Sequence, residues 1–372
     1  MKFITLVESL KKAVSLAEKA TGRNLTLPIL GNLLIQTEKG QLKISATDLE
    51  IGLNVYVMGK IEEDEEKTTV SAKTLNNFLT NLNEEKVSLE VKNNNLKVKS
   101  GVFEALIQGI SIDDFPIIPQ IKTEKYLELN IDNFIVAFGQ VVNSAAIGGR
   151  PELNGVLIKF NGENLKLVAT DSYRLSEKTL KADDFKTNLK DKISVICPLK
   201  TVQEVLRIAQ ELKGEAATVK IYIEPSQIFF DFGSLNLISR VLDGNYPDYE
   251  AIIPREFKTK LLFSRKSLIE AVKITGLFSS RINDLKLKID PEDDKLKLEA
   301  EESGLGQGRS ELKGKIEGEP LEISFNYRYL LDGLNNISSN EVFMGFNDDN
   351  SPSLIKSPED LSYLYILMPI KI

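Results

Sequence analysis

"LKLVATDSYRLS", residues 165–176, decides the fold, because the chain writes nearly the same stretch three times. "LKISATDLEIGL" stands at residues 42–53 and "LKLEAEESGLGQ" at residues 296–307, so the copies begin 123 and 131 residues apart. Apolar and polar residues alternate in each copy: Leu42, Ile44 and Ala46; Leu165, Leu167 and Ala169; Leu296, Leu298 and Ala300. A period of two marks a strand with one buried face. An apolar strand and a polar turn precede each copy, at residues 37–40, 161–164 and 290–294, so each is the second arm of a hairpin. A second hairpin recurs as "KVSLEVKNNNLKVKS" from Lys86, "TVKIYIEPSQIFFDF" from Thr218 and "EVFMGFNDDNSPSLIKS" from Glu341, spaced by 132 and 123 residues.

Two helical patterns accompany each pair of hairpins. Leu6, Leu10, Ala13 and Ala17 begin the first series, followed by Phe134, Phe138, Val141 and Ala145, then Leu268, Ala271, Val272 and Thr275. The second series is Leu75, Phe78, Leu79 and Leu82, then Val202, Val205, Leu206 and Ala209, then Tyr327, Leu330, Leu331 and Leu334. Spacings of three and four place each set on one helical face, and Ser71, Asn130, Ser264 and Asn326 stand at N-cap positions. The repeating unit is thus α+β and domain-sized, which predicts three tandem domains, at residues 1–122, 126–254 and 255–372, and not a short-period solenoid.

Composition narrows the function. The 372 residues include no histidine and one cysteine, with a net charge of −7. Without histidine the Ser-His-Asp and Cys-His arrangements and histidine-based metal sites are excluded. Cys197, in "ISVICPL", reads as a small buried hydrophobe, and one cysteine cannot form an internal disulfide, which fits a reducing compartment. No apolar run approaches the roughly 20 residues that span a bilayer, so a cytoplasmic location is expected. Asp48 and Asp171, at equivalent places in two repeats, would be the carboxylates of a carboxylate-based or metal-dependent hydrolase; as ends of strands, they read instead as Thr-Asp turns. "GLGQG" at residues 304–308 lacks the following Gly-Lys-Ser/Thr and amphipathic helix of a phosphate loop, and is expected to be a flexible loop.

The segments "TLPILGNLLI", "ISATDLEI", "DDFPIIP", "RPELNGVLI", "VATDSYRLS", "GNYPDYEAIIP", "FNYRYLLDGL" and "YLYILMPIKI", in register from end to end, resemble the bacterial DNA polymerase sliding clamp family, the beta subunit of DNA polymerase III. The resemblance implies three similar clamp domains per chain, each with two helices lining a central hole and antiparallel sheets on the outside, in a head-to-tail homodimeric ring. It implies a non-catalytic processivity factor without cofactor or metal, and no membrane. The partners implied are double-stranded DNA held without sequence preference, the replicative polymerase, the clamp loader and other proteins carrying the clamp-binding motif. Carried over residue by residue, its partner-peptide groove falls on Leu153, Thr170, Ser172, Tyr173, Arg174, Leu175, Pro247, Ile252, Ile366, Met368, Pro369 and Ile370. Ser172 replaces a glycine seen in many clamps, and Ala251 an arginine that often borders the groove.

The same resemblance adds Arg23 and Arg150 as DNA-proximal points. Lys73, Lys200 and Arg207 lie on predicted helices, where cations meet phosphates without reading bases. An acidic exterior, as in "KIEEDEEK", around a basic interior would reconcile the net charge with DNA. Closing the ring requires strand edges of the first and third domains to meet, and "GVFEALI" (residues 101–107) and "RINDLKLKI" (residues 281–289) are the expected edges.

Overall fold

The three copies of the quoted stretch fold as their alternation requires. In a computed structural model that describes residues 1–22, 27–64 and 66–371, they form strands Gln41–Thr47, Leu165–Thr170 and Lys295–Glu302. Every one of their alternating apolar side chains is buried. Each strand is flanked antiparallel by the arm before it, Asn32–Glu38, Gly155–Phe160 or Asp284–Asp290, and by the strand after its turn, Ile51–Val57, Arg174–Leu180 or Gly306–Lys313.

Six α-helices occur among the described residues: α1 (Val7–Lys19), α2 (Ala72–Thr80), α3 (Ile131–Val142), α4 (Leu199–Glu211), α5 (Arg265–Gly276) and α6 (Tyr327–Asn335). The expected caps are made. Ser71 accepts from Thr74 N at 3.3 Å, Asn130 from Asp132 N at 2.9 Å, Ser264 from Ser267 N at 3.5 Å and Asn326 from Arg328 N at 3.0 Å. Leu6 departs from its predicted place on a core face: it closes strand Lys2–Leu6 and caps α1 half-exposed, while Val7 turns inward. No helix among the described residues is long and apolar enough to cross a membrane.

The chain divides into two compact bodies. One comprises Met1–Asp132, Lys186–Leu189 and Glu204–Val241; the other Asn133–Phe185, Lys190–Gln203 and Leu242–Ile372. The first holds a five-stranded and a ten-stranded sheet, the second a nine-stranded and a four-stranded sheet. The two large sheets are built across repeats. In the first body Ile51–Val57 pairs antiparallel with Leu235–Arg240 of the second repeat, Leu53 opposite Leu237. In the second body Arg174–Leu180 pairs in the same way with Tyr363–Leu367 of the third repeat, Leu175 opposite Ile366. Polar side chains tie both seams: Asn54 Nδ2 donates to Asn236 Oδ1 at 3.0 Å, and the Ser176 hydroxyl lies 3.4 Å from that of Tyr363.

Two sequence expectations are corrected here. Strand Asp284–Asp290 is not an edge, because Lys295–Glu302 pairs on one side and Leu321–Asn326 on the other; the edges of that sheet are Gly306–Lys313 and Leu321–Asn326. The "GLGQG" segment is not a flexible loop. Its last three residues start that edge strand, and Gly308 is needed for close approach: a Cβ there would stand 2.5 Å from the Phe278 ring.

A similar close approach fixes the third repeat's core. Gly333 of α6 lies against the buried ring of Tyr365, where a Cβ would meet the ring at 2.5 Å, and the Tyr365 hydroxyl donates to Tyr329 O at 2.8 Å. Gly333→Ala should therefore destabilise the protein by about 1–3 kcal/mol through overpacking, although alanine is the better helix former. Urea unfolding measures it; an unchanged or raised midpoint would contradict this packing.

Candidate functional site

The "ATD" turn is the local device from which the site is built, and the two copies use the same hydrogen bonds. Thr47 Oγ1 donates to Ile51 O at 2.8 Å and accepts from Leu49 N at 3.0 Å. Thr170 Oγ1 donates to Arg174 O at 2.6 Å and accepts from Ser172 N at 3.2 Å. Asp48 Oδ1 accepts from Glu50 N and Ile51 N at 3.0 and 2.8 Å; Asp171 Oδ1 accepts from Tyr173 N and Arg174 N, both at 2.9 Å. The third residue of each turn takes a positive φ, 79° at Leu49 and 75° at Ser172. Each carboxylate is engaged in organising its own turn, so the hydrolase reading has no support in this geometry. No group of acidic, histidine or cysteine side chains suited to a metal occurs among the described residues.

Beyond the second turn, one face of the nine-stranded sheet is apolar. Leu157, Val168, Leu175, Ile196, Leu354 and Ile366 form a buried cluster, covered by Tyr246, Tyr249 and Ile253 of the linker that follows the second repeat. Of the residues expected in a groove, Leu175 and Ile366 belong to this cluster, buried and paired across the seam. Tyr173 and Ile252 are 65% and 43% exposed, and Pro247 and Ser172 are also exposed. Met368, Pro369 and Ile370 are half-buried, the tail being held by Met368 N to Tyr173 O at 2.8 Å and Ile370 N to Ser324 O at 2.7 Å. Thr170 is buried in its turn, and Leu153 is buried but is not a member of this cluster.

Arg174 is directed elsewhere. Its guanidinium is held by Asp171 at 3.0 Å and by Asp332, and it stacks 4.2 Å over the Tyr329 ring. It positions the seam rather than offering a charge to a ligand. Leu157, Val168, Leu354, Tyr246 and Tyr249 were missed by sequence reading. Val168 carried a usable signal: it is the outward residue of "LKLVAT", and an apolar side chain there breaks the alternation.

The cations expected near DNA differ in their surroundings. Lys73, Arg150 and Lys200 are exposed, on α2, before the short helix Pro151–Leu153 and on the first turn of α4. Arg207 is paired on its own helix, with Glu204 at 2.9 Å and Glu211 at 2.7 Å. Arg23 lies outside the described residues. Nearby cations are also matched: Lys12 with Glu215 at 2.5 Å, Lys19 with Glu211 at 2.7 Å and Lys213 with Asp132 at 2.8 Å.

Cys197 is fully buried in strand Ile193–Pro198, and burial alone pushes its thiol far above the ordinary range. It should react with Ellman's reagent at pH 8 only after unfolding; rapid labelling of the native protein would show an exposed or activated thiol.

Comparison with known proteins matches this architecture along the whole chain. Models of the DNA polymerase III beta subunit match in order, the N-terminal domain over residues 1–119, the central domain over 128–248 and the C-terminal domain over 250–371. The chain is 30% identical to the beta sliding clamp of Pseudomonas aeruginosa and 29% identical to that of Synechococcus elongatus, with 100% of both chains covered in each case. The crystal structure of the DNA polymerase III subunit beta from Pseudomonas aeruginosa superposes with a TM-score of 0.92 at 27% identity, covering 100% of each chain. That of the Bacillus subtilis sliding clamp gives 0.91 at 27% identity, covering 100% of this chain and 99% of the other. The chain belongs to the DNA polymerase III beta subunit family.

Proposed function

We propose that this member of the DNA polymerase III beta subunit family works as a homodimeric ring around duplex DNA, tethering the replicative polymerase and exchanging it with other partners. The role is that of a non-catalytic processivity factor. The observation that carries the ring is the repeated seam. The strand after the turn in repeat one pairs with the last strand of repeat two, and the corresponding strand of repeat two pairs with the last strand of repeat three. Two strands are left over: Gly306–Lys313 of repeat three and Phe103–Ile107 of repeat one, each an open edge. Applied once more between two chains, the same pairing joins third domain to first domain at both junctions and closes the assembly. Val102, Phe103 and Leu106, 90%, 49% and 63% exposed, supply apolar surface at one of these edges.

A closed ring holds DNA by topology, so phosphate contacts need only be weak and independent of sequence. Lys73, Lys200 and Arg150, with Arg23 and Arg207, are the cations proposed for them. The polymerase, the clamp loader and other motif-bearing proteins would dock through the cluster of Leu175 and Ile366, with Ile252, Pro247 and Met368 at its rim. A tethered polymerase then meets its template at high effective concentration.

Light scattering should give about twice the 41.6 kDa chain mass. Leu106→Asp, at an exposed position, should yield a folded monomer by placing a charge in the junction. After loading, the unaltered protein should stay on nicked circular DNA and leave when that DNA is linearised; Leu106→Asp should not be retained. Retention on linear DNA without blocked ends would overturn the ring.

The groove has its own test. Burying one leucine or phenylalanine is worth roughly 1.5–3 kcal/mol, so a short peptide with a glutamine and two spaced apolar residues should bind at about micromolar affinity. Ile252→Asp with Met368→Ala should abolish this in calorimetry while the dimer persists. Unaltered affinity would move the partner site elsewhere.

A further inference from the structure

A second recess stands at the equivalent place in the first repeat, with a volume of about 380 Å³. Its walls are the turn residues Thr47, Leu49 and Glu50, the "PIIP" linker at residues 116–119, and Ile238, Ser239 and Arg240 at the end of the seam strand. The construction is that of the groove: turn, linker and partner strand. The register makes the correspondence specific, because Gly52 opposite Ile238 matches Leu175 opposite Ile366. Ile238 therefore corresponds to Ile366, and Arg240 to Met368.

The side chains make it a different receptor. Ile118 packs over Gly52, its Cγ2 standing 2.7 Å from where a Cβ would be, so the linker closes on the floor that Leu175 occupies in the second repeat. What stays open is the outer part of the recess. Ile117 is 94% exposed there, and Leu49 is held half-exposed at φ 79°, a conformation leucine rarely takes. The fold keeps this leucine at the mouth where serine serves at the equivalent turn position. Arg240 is exposed, and its guanidinium has no carboxylate or hydrogen-bond partner among the described residues. Glu50 also lines the recess.

We propose that this recess is a second peptide site, for an extended segment that lays one large aliphatic or aromatic side chain on Leu49 and Ile117 and places an adjacent carboxylate on Arg240. Lysine in place of that acid would face the guanidinium and be rejected. The site would let one chain engage two segments with different flanking charge at once.

The test uses the full-length protein with labelled isoleucine and leucine methyl groups, whose NMR signals report the two sites separately. The probe is an acetylated, amidated octapeptide containing Leu-Phe followed by one aspartate, compared with a counterpart carrying lysine there. The aspartate peptide should shift the Leu49, Ile117 and Ile238 signals. Arg240→Glu should weaken its binding at these signals by about tenfold, the loss expected for one charge-assisted hydrogen bond, and strengthen that of the lysine peptide. Leu49→Gly, which suits the left-handed backbone and removes only the side chain, should weaken both while leaving the melting temperature in place. Shifts confined to Leu175, Ile252 and Ile366, equal binding of both peptides, or indifference to Arg240→Glu would each overturn the proposal. Because the two sets of signals are distinct, failure here leaves the groove of the second repeat standing, and the reverse also holds.

Discussion

The structure depends on backbone hydrogen bonding across repeat borders. A strand that ends a sheet needs a partner for its N–H and C=O groups, and each repeat is built with one such strand after its turn and another at its end. Pairing them makes ten-stranded and nine-stranded sheets from units that would otherwise present open edges. Such pairing is specific because a slip of one residue would turn Leu53 and Leu237, both buried, to the opposite face. The bond from buried Asn54 to Asn236 adds a second condition, since a slip would separate the two amides and leave the buried one without it.

That constraint explains why the turn is conserved within the chain as chemistry and not only as shape. The strand after the turn must leave in register with a partner from the next repeat, so its first residues cannot be loose. Threonine and aspartate fix them with four hydrogen bonds, the same four in both copies. Once the turn is fixed, its third residue is held exposed at positive φ, serine in the second repeat and leucine in the first.

Much of this was legible in the sequence because it rests on local periodicity. Period-two alternation gave the inward faces of the three quoted strands, and the caps at Ser71, Asn130, Ser264 and Asn326 are local hydrogen bonds that the residue types themselves suggest. What depends on distant partners was not legible. Asp284–Asp290 alternates as an edge strand would, yet Leu321–Asn326 returns to cover it. Arg174 looks like a groove cation until Asp332 and Tyr329, far along the chain, are brought beside it. The apolar roof of Tyr246 and Tyr249 follows from where the linker crosses the sheet, a path that composition does not specify.

Charge is the last case of this kind, and it bears on how a protein of net charge −7 can hold a polyanion. Counting helix lysines and arginines suggests a strongly basic surface. In the fold, Lys12, Lys19 and Lys213 each meet a carboxylate in exposed pairs of a sort that contribute at most about 1 kcal/mol, and Arg207 is held half-buried by Glu204 and Glu211. Such weak pairs can be exchanged for phosphate at little cost, and the neighbouring carboxylate limits what each exchange gains. For an enzyme that must stay at one sequence this would be a poor arrangement. For a ring that is retained by closure it is favourable, because a deep electrostatic well at every phosphate would oppose movement along the duplex.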